Sequence, residues 1–212
     1  MPSSTRGYKY FDICLVVFVM CLLTANIIAV KMVSVGPLVV PAAVIIFPIS
    51  YIMGDVLTEV YGLVRARRAI WLGFGANLIM VIAIAVGQWL PAAPFWNAQP
   101  AYERILGYAP RLLVASFIGY LAGEFSNSYV MAWMKTLTRG RFLWTRTIAS
   151  TVIGQGLDSL AFMTIAFVGT MPSLALMTAV TTQWLFKVVY EALATPATYL
   201  VITRLKHAET IP

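Results

Sequence analysis

Apolar residues run along this chain in six long blocks, at residues 11–31, 41–61, 69–90, 111–135, 145–168 and 174–203, set apart by short polar, basic or proline-rich connections. A helix needs about 20 predominantly apolar residues to cross a bilayer. Each block meets that length, and the pattern predicts an all-α membrane protein with six transmembrane helices in a single domain, residues 1–212. The stretch 32–40 contains Gly36, Pro37 and several β-branched residues, and is expected to be a short extended or re-entrant connection. Pro48 is expected to kink the second span. The sixth block is long, so it either tilts or breaks near Pro196. Pro91, Pro94, Pro100 and Pro110 punctuate the longest polar connection.

Composition agrees with this pattern. The chain is 60% hydrophobic and 11% charged, whereas a soluble domain carries roughly 25% charged residues. Charge placement adds the orientation. Basic residues gather at the N-terminus (Arg6, Lys9), between spans two and three (Arg65, Arg67, Arg68), between spans four and five (Lys135, Arg139, Arg141, Arg146) and at the C-terminus (Arg204, Lys206). Six spans place all four clusters on one side, and the positive-inside rule makes that side, with both termini, cytoplasmic. A net charge of +7 would suggest a nucleic-acid partner in a soluble protein. Here it belongs to the loops, so the partner is the lipid bilayer and no nucleic acid is expected.

Cys14 and Cys21 stand seven helical residues apart, roughly 10 Å, too far for a disulfide, and are read as packing residues. His207 has no ligating neighbour in sequence, so no metal site is expected. The first block is read as a retained span, because no small-residue cleavage site followed by a soluble domain appears. No zinc-binding helix, phosphate loop or nucleophile elbow is present, which leaves no sign of an enzyme or of a nucleotide-driven pump on this chain.

Function is expected where polar residues interrupt apolar helices, since a charge at mid-bilayer costs about 2.5–3.5 kcal/mol on insertion scales. Those residues are Asn26, Asp55, Glu59, Asn77, Glu124, Asn127, Gln155, Asp158, Gln183, Lys187 and Glu191. Helical spacing groups Asp55 with Glu59, Glu124 with Asn127 and Ser128, Gln155 with Asp158, and Gln183 with Lys187 and Glu191. Four helices thus present polar stripes that can converge on one cavity. Counting from the helix ends puts Glu124, Gln155, Asp158 and Lys187 near mid-membrane, Asp55, Glu59 and Glu191 nearer the cytoplasm, and Asn26 nearer the outside.

Plainer roles are open for many of them. Asp55 and Glu59 could pair with Arg65, Arg67 or Arg68. Lys187 and Glu191 could pair with each other. Asn77, Asn127 and Gln155 could be interhelical hydrogen-bond partners. Gly119 and Gly123 suit close helix packing, and leave room for a homo-oligomer. One lysine cannot neutralise both Glu124 and Asp158, so a proton or a ligand is needed there. Trp184, Tyr51 and other aromatic residues on these spans could stack a planar heterocycle.

Several runs together resemble a known family: Thr24-Ala25-Asn26 through Lys31; Phe47-Pro48-Ile49-Ser50-Tyr51; Gly54-Asp55 through Glu59-Val60-Tyr61-Gly62; Ala66-Arg67-Arg68; Glu124-Phe125-Ser126-Asn127-Ser128; Arg146 through Gly154, Gln155 and Asp158; and Gln183, Lys187, Glu191 and Pro196. The resemblance is to the queuosine precursor transporter family, also called the vitamin uptake transporter family, and covers nearly the whole chain. It implies a bacterial inner-membrane importer of 7-cyano-7-deazaguanine and 7-aminomethyl-7-deazaguanine for tRNA modification, without a cofactor. It also implies an architecture similar to the six-helix substrate-binding subunits of energy-coupling-factor transporters.

Under that reading Glu124 or Asp158 accepts the N1–H and 2-amino group of the base in a bidentate contact. Asn127, Gln155 or Gln183 supplies donors, Lys187 and Glu191 set the charge balance or relay a proton, and Asp55 and Glu59 form an inner gate, with Tyr51 beside them. Asn26 and Trp184 complete the expected substrate-binding set. Three alternatives stand beside it: a binding subunit that needs a separate energising complex, an intramembrane enzyme, and a scaffold whose polar residues only join helices.

Overall fold

A computed structural model describes residues 8–36, 38–139 and 143–209. The first helix, α1 (Phe11–Ile28), leads into an antiparallel hairpin of β1 (Met32–Val35) and β2 (Leu38–Pro41). Its register pairs Met32 with Pro41 and Val35 with Leu38. Gly36 turns the hairpin at φ +61°, a conformation open to glycine at little cost. A 3-10 turn (Ala42–Ile45) and α2 (Phe47–Tyr61) follow. Then come α3 (Leu63–Trp89), a short amphipathic α4 (Gln99–Leu106), α5 (Ala109–Leu137), α6 (Leu143–Phe167) and α7 (Ser173–Ala208).

The extended connection expected at 32–40 is this hairpin. The second span differs more. A continuous helix over 41–61 was expected, but the chain there is the end of β2, the 3-10 turn and a helix of 15 residues. The proline expected to kink a long helix instead lies in the first turn of α2. Proline lacks an N–H, and the first turn of a helix is where none is needed. The irregular backbone before α2 is covered by protein: Val40, Ala43 and Val44 are buried. Non-helical backbone at membrane depth is tolerated only under such cover or beside a water-filled cavity.

Arg65, Arg67 and Arg68, expected in a loop, form the first turns of α3. The last helix does not break: α7 runs 36 residues through Pro196, about 54 Å at 1.5 Å per residue. Beside that proline, Thr195 donates to the Glu191 carbonyl at 2.7 Å and Thr198 to the Ala194 carbonyl at 3.1 Å.

Five segments among the described residues are long and apolar enough to cross a membrane: Phe11–Ile28, Val64–Trp89, Gln99–Asn127, Ile148–Phe167 and Ser173–Ala208. The molecule is thus an all-α membrane protein apart from one small hairpin. The tightest pairing is α5 against α6, and small residues make it so. A Cβ added at Gly119 would lie 2.8 Å from Asp158 Oδ1, and one at Gly123 would lie 2.9 Å from Asp158 Cβ. One at Gly154 would lie 3.0 Å from the Gly123 carbonyl oxygen. Gly119 and Gly123 therefore serve a contact within the chain. Arg111, at the start of α5, donates to the Ile165 and Val168 carbonyls at 2.6 and 2.5 Å. These belong to the unpaired carbonyls that every helix leaves at its C-terminal end.

Two buried clusters bracket the bundle. One joins Ala25, Ala43, Leu112, Phe162 and Met163 near the hairpin. The other joins Cys14, Val56, Leu57, Tyr61 and Ile202. Both cysteines are buried free thiols, as expected of packing residues.

Candidate functional site

Beside the second cluster, which lends it Phe18, Leu57 and Ala66, lies a cavity of about 410 Å³, within the roughly 300–1,000 Å³ typical of small-molecule sites. Phe18 and Leu22 of α1 and Ala66 and Ile70 of α3 form apolar wall. Polar groups come from the other helices: Ser50, Asp55 and Thr58 on α2, Tyr120 and Asn127 on α5, Thr151, Gln155 and Asp158 on α6, and Glu191 on α7. Each stripe inferred from spacing thus sends at least one residue to the cavity, while Glu59, Gln183 and Lys187 lie outside its wall. Gly54, Gly123 and Gly154 also border the cavity.

Asp158 is ion-paired with Lys187 of α7, whose side chain is 5% exposed against 21% for Asp158. Lys187 therefore pairs across helices rather than with Glu191 one turn along. Glu191 instead receives a long contact, 3.5 Å, from the Gln155 amide, and it interacts electrostatically with Asp55. Glu59 pairs with Lys206 at 3.7 Å, not with the arginines of α3. Arg65 lies over the Tyr8 ring, 4.5 Å from its centroid. Asp55 has no ion-pair partner among the described residues.

Other expected site residues lie elsewhere. Asn26 donates to Asn77 Oδ1 at 2.6 Å and accepts from Ser116 at 3.0 Å, while Asn77 donates to the Gly73 carbonyl. This network joins α1, α3 and α5, and Asn26 is not in the cavity wall. Trp184 donates its indole N–H to the Val152 carbonyl at 2.9 Å and packs over Gly156, fastening α7 to α6. Gln183 is 2% exposed, outside the cavity wall, and neither of its amide atoms has a partner among the described residues. The side chains of Tyr51 and Glu124 lie outside the described residues.

Phe18, Tyr120, Ser50 and Thr151 line the cavity and were not foreseen. Phe18 belongs to an unbroken apolar block and carries no signal in the sequence. Tyr120 stood four residues before Glu124 and could have been placed on the same stripe. Phe125 and Tyr129, each 72% exposed, face away from the cavity.

A cavity with polar groups on four helices, set among helices long enough to cross a membrane, fits a membrane protein that handles a small solute. The chain belongs to the family described as "Putative vitamin uptake transporter", whose model matches residues 41–201. It is a transporter, not an enzyme. A relative in Bacillus subtilis (strain 168), named "Probable queuosine precursor transporter", is 27% identical over 176 residues, 82% of this chain and 77% of that protein. Another in Escherichia coli (strain K12), named "Queuosine precursor transporter", is 27% identical over 124 residues, 57% of this chain and 52% of that protein. No solved structure matches the chain significantly.

Proposed function

We propose that the protein imports the queuosine precursors 7-cyano-7-deazaguanine and 7-aminomethyl-7-deazaguanine across a bacterial inner membrane, for tRNA modification. The observation that carries this reading is the 410 Å³ cavity with Asp158, Asn127, Gln155 and Tyr120 in its wall. The base presents N1–H and a 2-amino group side by side, which one carboxylate accepts together. Asp158 is held in place by Lys187 and offers its remaining lone pairs. The Gln155 and Asn127 amides reach the 6-keto oxygen and the 7-substituent, and Tyr120 or Phe18 covers the ring. The names of the two relatives point the same way.

The reading includes six crossings with both termini cytoplasmic, in an arrangement like energy-coupling-factor substrate-binding subunits. The chain ends support an even number of crossings. Glu209, just beyond α7, accepts from the Lys9 and Tyr10 backbone N–H groups at 2.8 and 2.7 Å, a contact that supports placing both termini on one side. The 3-10 turn and α2 then make the sixth crossing. Thermal stabilisation of the purified protein by 7-cyano-7-deazaguanine, with guanine and biotin as controls, tests the reading. A ligand at a hundredfold excess over its Kd adds about 2.7 kcal/mol to the folded state. A selective rise in Tm is expected. A rise with biotin alone would replace the proposed substrate class.

A further inference from the structure

Among the described residues, the charges in the cavity do not balance. Its wall carries Asp55, Asp158 and Glu191, and no lysine, arginine or histidine among the described residues. Lys187 is committed to Asp158. Asp55 and Glu191 face each other electrostatically with no ion-pair partner among the described residues. Among the described residues, the groups around them supply no cation. On α2 the neighbour is Glu59, which takes Lys206. On α6 it is the neutral Gln155. On α5 the wall offers the Tyr120 hydroxyl and Asn127, and α1 and α3 present apolar side chains. Asn127 also buries a carbonyl oxygen that has no hydrogen-bond partner among the described residues, an acceptor open to a donor. The cavity is thus rich in acceptors and short of positive charge.

Asp55 is exposed and Glu191 half-buried at the cavity wall, and two carboxylates that a bound ligand shuts off from water there do not both stay ionised without a compensating charge. We propose that the Asp55–Glu191 pair requires one positive charge whenever the cavity is occupied, supplied by the ligand's own ammonium group or by a proton. This rests on the substrate reading above and deepens it. The aminomethyl base carries an ammonium group at neutral pH and places it against the pair. The nitrile base is neutral, so it binds with uptake of one proton from water onto a carboxylate oxygen of Asp55 or Glu191. No covalent bond of the ligand changes.

The two ligands must therefore show different pH dependences. Lowering the pH supplies the proton that the nitrile base needs, and its affinity rises by up to about tenfold per pH unit. The same protonation competes with the ammonium group, so affinity for the aminomethyl base falls or holds.

The test is calorimetric titration of the full chain in detergent with each base between pH 6 and 8. Two buffers of different ionisation enthalpy count the protons. Uptake of about one proton with the nitrile base, and none with the aminomethyl base, is expected. Asp55→Asn or Glu191→Gln should raise nitrile affinity at pH 8 toward its low-pH value and lower aminomethyl affinity at least about tenfold. Retained nitrile binding shows that the variants fold. If they do not fold, the slopes of the unaltered protein decide. Parallel pH slopes for the two bases, or folded variants with unchanged profiles, would overturn the proposal. Failure of both bases to bind would instead overturn the substrate reading, and this proposal with it.

Discussion

Lys187 holds its ammonium group against Asp158 with only 5% of its side chain exposed. Removing one partner of a buried pair leaves the other charge uncompensated, at a cost of about 3–5 kcal/mol. Lys187→Met should therefore lower the stability of the detergent-solubilised protein by that order, and Lys187→Met with Asp158→Leu should recover part of the loss. Chemical denaturation of the three proteins checks this. Asn77 makes the opposite case, as a buried polar residue outside the cavity wall. Interhelical hydrogen bonds in membranes average about 0.6 kcal/mol and reach about 1.7. Asn77→Leu should cost about 1–2 kcal/mol through the bonds it severs and leave ligand affinity unchanged. A titration that finds weakened binding would place Asn77 in the recognition machinery after all. The sequence marked Asn26 and Asn77 as polar and buried. It could not say that they bond to each other, because α1 and α3 are brought together only by the fold.

At the scale of elements, the site depends on how closely α5 approaches α6. Gly123 faces the backbone of α6, where an added Cβ would press on Asp158 Cβ at 2.9 Å and the Gly154 carbonyl at 3.2 Å. Overpacking of this kind costs about 1–3 kcal/mol, and here it also moves Asp158. Gly123→Ala should lower the Tm and weaken ligand binding together. Gly75→Ala has no atom within 4 Å of the new methyl group and should leave both unchanged. Equal effects from the two substitutions would mean that the α5–α6 contact is looser than this. The start of α2 carries the other lesson at this scale. Apolar content alone reads residues 41–61 as one helix, yet Pro41, Pro48 and the β-branched residues between them favour extended or 3-10 backbone until α2 begins.

Across the whole molecule, Glu209 ties the two ends of the chain. Its carboxylate accepts from the Lys9 and Tyr10 N–H groups at the start of α1 and from the Tyr61 hydroxyl at 3.0 Å. Burial alone would raise its pKa. The two backbone bonds, the Tyr61 bond and the nearby Lys9 charge outweigh that and hold it below the ordinary value of 4.5. A carboxyl with a depressed folded-state pKa stabilises fully above its unfolded value and loses that contribution as pH falls through the folded one. Hydrogen-exchange protection factors at residues 8–14, which correct for the intrinsic pH dependence of exchange, should therefore be unchanged from pH 7 to 5, fall below pH 4.5, and be low at all pH values in Glu209→Ala. The sequence by itself determined that the chain lives in a bilayer, roughly where its helices lie and which family it resembles, because hydropathy and local motifs are properties of consecutive residues. It also determined which helices carry polar stripes, since helical periodicity is local too. Tertiary structure alone decided which stripe meets which. It sent Lys187 to Asp158 rather than to Glu191, took Asn26 and Trp184 into helix packing, brought Phe18 and Tyr120 to the cavity, and left Asp55 and Glu191 without a cation among the described residues. Those outcomes depend on distances between helices remote in sequence, and glycines such as Gly123 and Gly154 set them by how near two backbones can come.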